Sequence, residues 1–180
     1  MWGTILAAMM ATTAASSTVV DPEPWKRPDA IIIPDPYYQN AFDFDRALAD
    51  PKIKAVILKA ASGLSIDPAL RDRARIARQR GIPFGIYLLG VSAGTPRKPG
   101  TDPIAQADLL VRLGRELGAT FLALDIEDQR PTDMSLDDAA RFVARVHDQT
   151  ERYPAFYGNK KVANAVAARF GADSIFAKSP

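Results

Sequence analysis

The chain has 180 residues, and 47% of its side chains are hydrophobic, enough for a real core in one domain. Lys and Arg number 23 against 21 Asp and Glu, giving a net charge of +2. No basic stripe with interleaved aromatics is present, which argues against nucleic acid as a partner. The absence of cysteine excludes a disulfide framework, a thiol nucleophile and a Cys-based metal site, while the single histidine, His147, lends a His-rich site no support. Neither a metal nor a cofactor is expected.

The first twenty residues, MWGTILAAMMATTAASSTVV, carry no charged side chain. Their apolar stretch, from Ile5 through Ala15, is too short for a membrane span and fits the core of a signal peptide cleaved near Ala14–Ser17. Residues 1–20 are therefore expected to direct export, making the protein secreted or periplasmic. No later run is long enough to span a bilayer, so stable membrane insertion is not expected. Residues 21–28 are Pro-rich and read as a linker, with the folded domain running from residue 29 to 180.

Within that domain apolar strands alternate with amphipathic helices. Ala30–Ile33 is wholly apolar, as a strand covered on both faces would be, and Ala55–Leu58 repeats the pattern. Asp67 and Pro68 supply an N-cap and an N1 proline for an Arg-rich helix that stops at Gly81. Ile82–Leu89 is the third strand, followed by a Gly- and Pro-rich loop to Gly100. Asp102-Pro103 opens a helix that ends at Gly118. Thr120–Ile126 is the fourth strand. Ser135 with Asp138 makes a capping-box-like start for a helix to about Glu151. Ala155–Tyr157 and Lys160–Phe170 are the last strand and helix. Repeated β-α units with short connections mean an α/β protein with parallel strands. Both a small doubly wound sheet and an unfinished barrel satisfy the pattern, and periodicity does not choose between them.

The fourth strand carries the most chemistry. Successive side chains point to opposite faces, so Leu122, Leu124 and Ile126 share one face and are expected beneath helices. Phe121, Ala123, Asp125 and Glu127 share the other. Both carboxylates then stand at the C-terminal end of the strand, where parallel α/β proteins build their sites. At about 3.3 Å rise per residue they lie roughly 6–7 Å apart. Like charges in a partly dry cleft push one carboxyl towards its protonated form, suiting one group to act as acid while the other stays ionised. The competing readings are an ordinary strand end running into an acidic loop at Asp128, and a metal held by the same pair.

By the same alternation Lys59, Tyr87, Tyr157 and Asn159 project at neighbouring strand ends. Aromatic rings with polar tips suit sugars, which offer C–H faces for packing and hydroxyls for hydrogen bonds. The first strand runs into Pro34-Asp35-Pro36-Tyr37. There Asp35 is either a turn residue or a third acid at the rim, and Tyr37 is a further candidate sugar contact.

Six segments occur in the order found in the family 25 glycoside hydrolases, the lysozymes of Chalaropsis type: IIIPDPYYQNAFDF, AVILKAASG, GIPFGIYLLG, a helix containing AQAD, FLALDIED and RYPAFYGN. From Ala30 to Pro180 the chain resembles that family, most specifically in its Asp-x-Glu strand. The resemblance implies a TIM-barrel-like (β/α) fold and hydrolysis of the β-1,4 bond between N-acetylmuramic acid and N-acetylglucosamine in peptidoglycan; a monomer is expected. It matches Glu127 to the general acid, Asp125 to the second carboxylate and Asp35 to the acid of the first strand. It sets Tyr87 and Tyr157 in the sugar cleft, where Tyr37, Lys59 and Asn159 join them as substrate-binding candidates.

Several positions depart from the family's pattern. The spacing from Asp35 to Asp43 is one residue short, Leu88 stands where many members have His, and Ser62 stands where an acid is common. The family also closes its barrel with further strands, one bearing another active-site Asp. An incomplete barrel lacking C-terminal strands is therefore expected here. That expectation motivates a rival, a non-catalytic cell-wall polysaccharide-binding module or inactive fragment, because an unclosed barrel exposes an edge strand and an apolar inner face. A nucleotide-binding α/β domain is disfavoured, since no Gly-rich phosphate loop follows any strand.

Overall fold

Five strands lie side by side in the order in which the chain forms them, and this order decides the architecture. They are β1 (Ala30–Ile32), β2 (Ile53–Ser62), β4 (Phe84–Leu89), β5 (Leu122–Ile126) and β6 (Ala155–Gly158), each parallel to its neighbour. A two-residue strand, β3 (Ser65–Ile66), folds back antiparallel on the end of β2. The helices are α1 (Phe44–Ala47), α2 (Leu70–Gln79), α3 (Pro103–Leu117), α4 (Leu136–Thr150) and α5 (Lys160–Phe170), followed by a 3-10 turn at Ile175–Lys178. The computed structural model describes residues 29–34, 42–92, 102–127 and 132–179. The expected signal peptide (1–20) and linker (21–28), together with Asp35 and Tyr37, lie outside the described residues.

A doubly wound sheet must reverse its strand order to bring helices to both faces. No reversal occurs here. Crossovers of one hand between strands laid down in sequence put every helix on the same side, as in a barrel. The core divides accordingly. Val56, Leu58, Ile86, Leu88, Leu124 and Ile126 point to the helical side and pack in one large cluster with Leu110, Leu113, Phe142 and Val143. The opposite face carries a small separate cluster of Ile57, Tyr87 and Ala123, flanked by Ile31, Phe121 and Ala155. The architecture is an open half of a (β/α) barrel, with helices outside and a concave inner face.

Local chemistry accounts for most element ends. Asp102 caps α3 by accepting from Ile104 N at 3.1 Å, with Pro103 in the first turn, and the helix ends at Gly118. Ser135 caps α4 by accepting from Asp138 N at 3.2 Å. Asp67 behaves differently from the sequence expectation. Its Oδ1 accepts from Ala69 N at 2.8 Å, closing a turn, and α2 starts only at Leu70 with Ala69 at the N-cap. β1 is also less covered than its apolar run suggests: it is an edge strand with half-buried residues, and Ile33 beyond it is exposed. β2 runs beyond the expected Leu58 to Ser62 because β4 and β3 both pair with it there.

On the outer layer α3 and α4 are joined by Arg145, whose Nε donates to Asp108 Oδ1 at 2.7 Å, and by the Gln149 amide donating to the same oxygen. The Arg145 hydrogen bond holds the Asp108 carboxyl below its ordinary range, against a smaller opposing effect of burial. Among the described residues no helix is long and apolar enough to cross a membrane.

Gly85 faces the ring of Phe121, and a Cβ there would run into it. Gly85→Ala should therefore cost about 1–3 kcal/mol in urea unfolding, the usual range for overpacking. The folded-state pKa of Asp108 is depressed, so its contribution to stability is present above the unfolded carboxyl value and lost as pH falls through the folded one. Asp108→Asn should lower Tm by about 1–2 °C at pH 7, as expected of a half-exposed pair. The difference from the parent should vanish in strong acid, and a gap that persists there would rule out the ion pair as its source.

Candidate active site

The concave face of the sheet presents side chains in rungs. Lys59 lies opposite Tyr87, Tyr87 opposite Ala123, and Ala123 opposite Ala155. The next rung towards the C-terminal end sets Leu89 opposite Asp125 and Asp125 opposite Tyr157. Glu127 is two residues further on, the first residue past β5. Asp125 and Tyr157 are thus one strand spacing apart, about 4.8 Å, with Lys59 two spacings from β5 on the lower rung.

Exposure separates the roles of these groups. Glu127 and Tyr157 are exposed, Tyr157 at 54%. Asp125 is half-buried and its Oδ1 is shielded from solvent. Tyr87 is only 8% exposed, its ring wedged between Ile57 and Ala123 in the inner cluster. Of the two tyrosines, Tyr157 therefore offers an accessible ring face, whereas Tyr87 forms the floor of the cleft. The pattern is an exposed acid beside a partly buried one, with an aromatic ring at the same height.

Lys59, Tyr87, Asp125 and Tyr157 are thus brought to one face of the sheet, with Glu127 just beyond its C-terminal end. Asn159 lies past the end of β6 and is held by two hydrogen bonds within the protein. It caps α5, its Oδ1 accepting from Val162 N at 3.0 Å, and its Nδ2 donates to the Glu127 carbonyl at 2.5 Å. Among the described residues no group of three or more His, Cys, Asp or Glu could hold a metal ion.

Sequence reasoning overlooked Gln106. It lies on the stripe of α3 formed by Pro103, Leu110, Leu113 and Leu117 and is fully buried. Its amide grips the backbone of Val91 just beyond β4, donating to Val91 O at 2.9 Å and accepting from Val91 N at 3.1 Å. The held segment is stitched in turn to the loop after β5, through Ser92 N to Thr132 O at 2.8 Å and Met134 N to Gly90 O at 3.1 Å. Gln106 thereby anchors residues 90–92 after β4 and, through them, residues 132–134 ahead of α4. A polar residue on an otherwise apolar helical stripe was the available signal.

A cavity of about 590 Å³ opens at the other end of the sheet, between Gly118, Thr120, Phe121, Tyr153 and Pro154. These residues precede or begin β5 and β6, so the cavity lies about a strand's length, roughly 15 Å, from the carboxylates. Its polar groups are engaged within the protein. Thr120 Oγ1 donates to Phe84 O at 2.8 Å, Arg115 Nη2 to Gln149 O at 2.6 Å, and Thr150 Oγ1 to Val146 O at 2.8 Å. Size alone does not make it the site.

The sequence matches the family described as glycosyl hydrolases family 25 over residues 36–175. No curated protein matches it in a sequence search. Among solved structures it is similar to the catalytic domain of endolysin Ply40 from bacteriophage P40 of Listeria monocytogenes, with 24% identity and a TM-score of 0.59, covering 75% of this chain and 65% of that one. A family GH25 lysozyme from Aspergillus fumigatus is similar at 19% identity and TM-score 0.59, with 84% and 73% of the two chains covered. The modular autolysin LytC of Streptococcus pneumoniae, solved with a synthetic peptidoglycan ligand, is similar at 14% identity and TM-score 0.59. Coverage there is 74% of this chain and 33% of that one. The chain thus spans just under two thirds of the endolysin domain and about one third of the autolysin. These likenesses establish the shared fold.

If Gln106 anchors the loops as described, Gln106→Met keeps the packing volume and leaves both polar groups of Val91 without that amide. The expected cost is about 2–4 kcal/mol in denaturant unfolding, the penalty for stranding two buried backbone groups. An unfolding free energy unchanged from the parent would remove Gln106 from this role.

Proposed function

Since the chain belongs to glycosyl hydrolase family 25, we propose that it is a muramidase, hydrolysing the β-1,4 bond between N-acetylmuramic acid and N-acetylglucosamine in peptidoglycan. One observation carries the assignment. Asp125 stands half-buried on the concave face at the C-terminal end of β5, opposite Tyr157, and the exposed Glu127 follows two residues on, just past the strand end.

In this reading Glu127, accessible at the rim, donates its proton to the leaving glycosidic oxygen as the bond to the anomeric carbon breaks. Asp125 stays ionised and supports the positive charge that develops at that carbon, either directly or by orienting the 2-acetamido group. Tyr157 offers its ring to the C–H face of a sugar, Tyr87 shapes the floor, and Lys59 lies within reach of a polar substituent. Asp35 and Tyr37 are proposed to complete the rim from the first strand. The same reading makes the protein a monomer acting outside the cytoplasmic membrane, secreted or periplasmic, with residues 1–20 as its export signal.

The test is release of reducing ends from purified peptidoglycan by the parent, Glu127→Gln and Asp125→Asn. Loss of general acid catalysis should lower the rate of Glu127→Gln by about 10²–10⁴-fold, with circular dichroism unchanged. Asp125→Asn should also fall steeply. Parental rates in Glu127→Gln would sink the catalytic assignment. Sedimentation of the protein with cell walls, without turnover by any form, would instead favour the polysaccharide-binding alternative.

A further inference from the structure

The parallel ladder between β5 and β6 ends at Ile126 opposite Gly158. Glu127 is the next residue, past the last rung, where main-chain pairing no longer holds the strand. At this point a side chain takes over: Asn159 Nδ2 donates to the Glu127 carbonyl oxygen at 2.5 Å. The bond continues the ladder by one rung, with a carboxamide in place of a peptide group.

The other end of the same amide caps α5, Oδ1 accepting from Val162 N at 3.0 Å. The orientation of the amide is settled by its partners, because a carbonyl demands the nitrogen and an N–H demands the oxygen. Gly158 makes the approach possible. A Cβ there would come within 2.8 Å of Val162 Cγ1 and 3.1 Å of Ile126 O, so the first turn of α5 closes directly onto the end of β5. A strand end, a glycine and a helix N-terminus thus meet at one carboxamide.

We infer that Asn159 is a positioning residue for Glu127: it fixes the main chain from which the acid projects and references it to the N-terminus of α5. This rests on the reading of Glu127 as the acid. It also revises the role expected of Asn159 from sequence, which was to bind substrate. One donor and one acceptor of the amide are used within the protein, and its two bonds act on the acid's backbone and on a helix. A general acid works only when its proton is held within hydrogen-bond reach of the leaving oxygen, so holding its backbone affects the chemical step more than sugar binding.

Asn159→Asp separates the two functions of the amide. Aspartate caps a helix as well as asparagine does, so α5 and the melting temperature should be preserved. It has no donor for the Glu127 carbonyl and sets a carboxylate against it. In the full chain, acting on soluble peptidoglycan fragments, kcat should fall about 10- to 100-fold while KM stays within about twofold. Hydrogen exchange of the peptide spanning Glu127 should quicken, whereas the first turn of α5 keeps its protection. Asn159→Ser, another capping residue without the amide donor, should behave alike.

A rise in KM at constant kcat would mark Asn159 as a sugar contact and overturn the inference. So would exchange around Glu127 that matches the parent. Should the parent and Glu127→Gln both fail to turn over substrate, the muramidase reading falls; the exchange comparison still decides whether Asn159 holds the acid's main chain.

Discussion

The burial of Leu122, Leu124 and Ile126 beneath the helices governs the rest of the molecule. A strand offers its side chains alternately to two faces, so three leucine-like residues committed to the outer layer commit Ala123 and Asp125 to the inner one. A one-residue slip of β5 would bury the Asp125 carboxylate under α3 and α4 and expose the leucines, at a large cost in both desolvation and lost apolar burial. The packing that stabilises the sheet is therefore the same packing that aims Asp125.

Around that strand two supporting contacts are made by amides. Gln106 holds Val91 from beneath, and Asn159 holds the Glu127 carbonyl from the side. Each acts as donor and acceptor at once and replaces a strand partner where the ladder stops. Neutral bidentate groups suit this location. They fix the backbone near the carboxylates without adding a charge that would bias the protonation of the acids. On the helical exterior the ion pairs Arg71–Glu116, Arg145–Asp108 and Arg80–Asp45 join neighbouring elements.

Much of the site was legible from residues alone, and the reason is local. Period-two alternation assigned Lys59, Tyr87, Asp125 and Tyr157 to one face, and the register brings them onto two adjacent rungs. Caps at Asp102 and Ser135 depend on a few consecutive residues and were read correctly. Asp67 was misread because the Asp-Pro signature marks a turn as well as a helix start; here the turn forms first and the helix follows. Asn159 was placed at the right strand end, but the alternation that set it beside the tyrosines applies only while the chain remains a strand. At residue 159 it has turned into the cap of α5.

The sequence by itself determined which residues share a face, where most helices begin and end, and that two acids stand at the end of a buried strand. These follow from backbone geometry and from capping chemistry acting over a few residues. Tertiary structure alone decided that the strands follow one another without reversal, so that the helices lie on one side and leave a concave face. It also decided that Tyr87 is floor and Tyr157 is surface, and that two carboxamides on different helices hold backbone just past the strand ends. Those outcomes depend on which distant segments come to lie side by side, and local periodicity is the same for every arrangement of the strands.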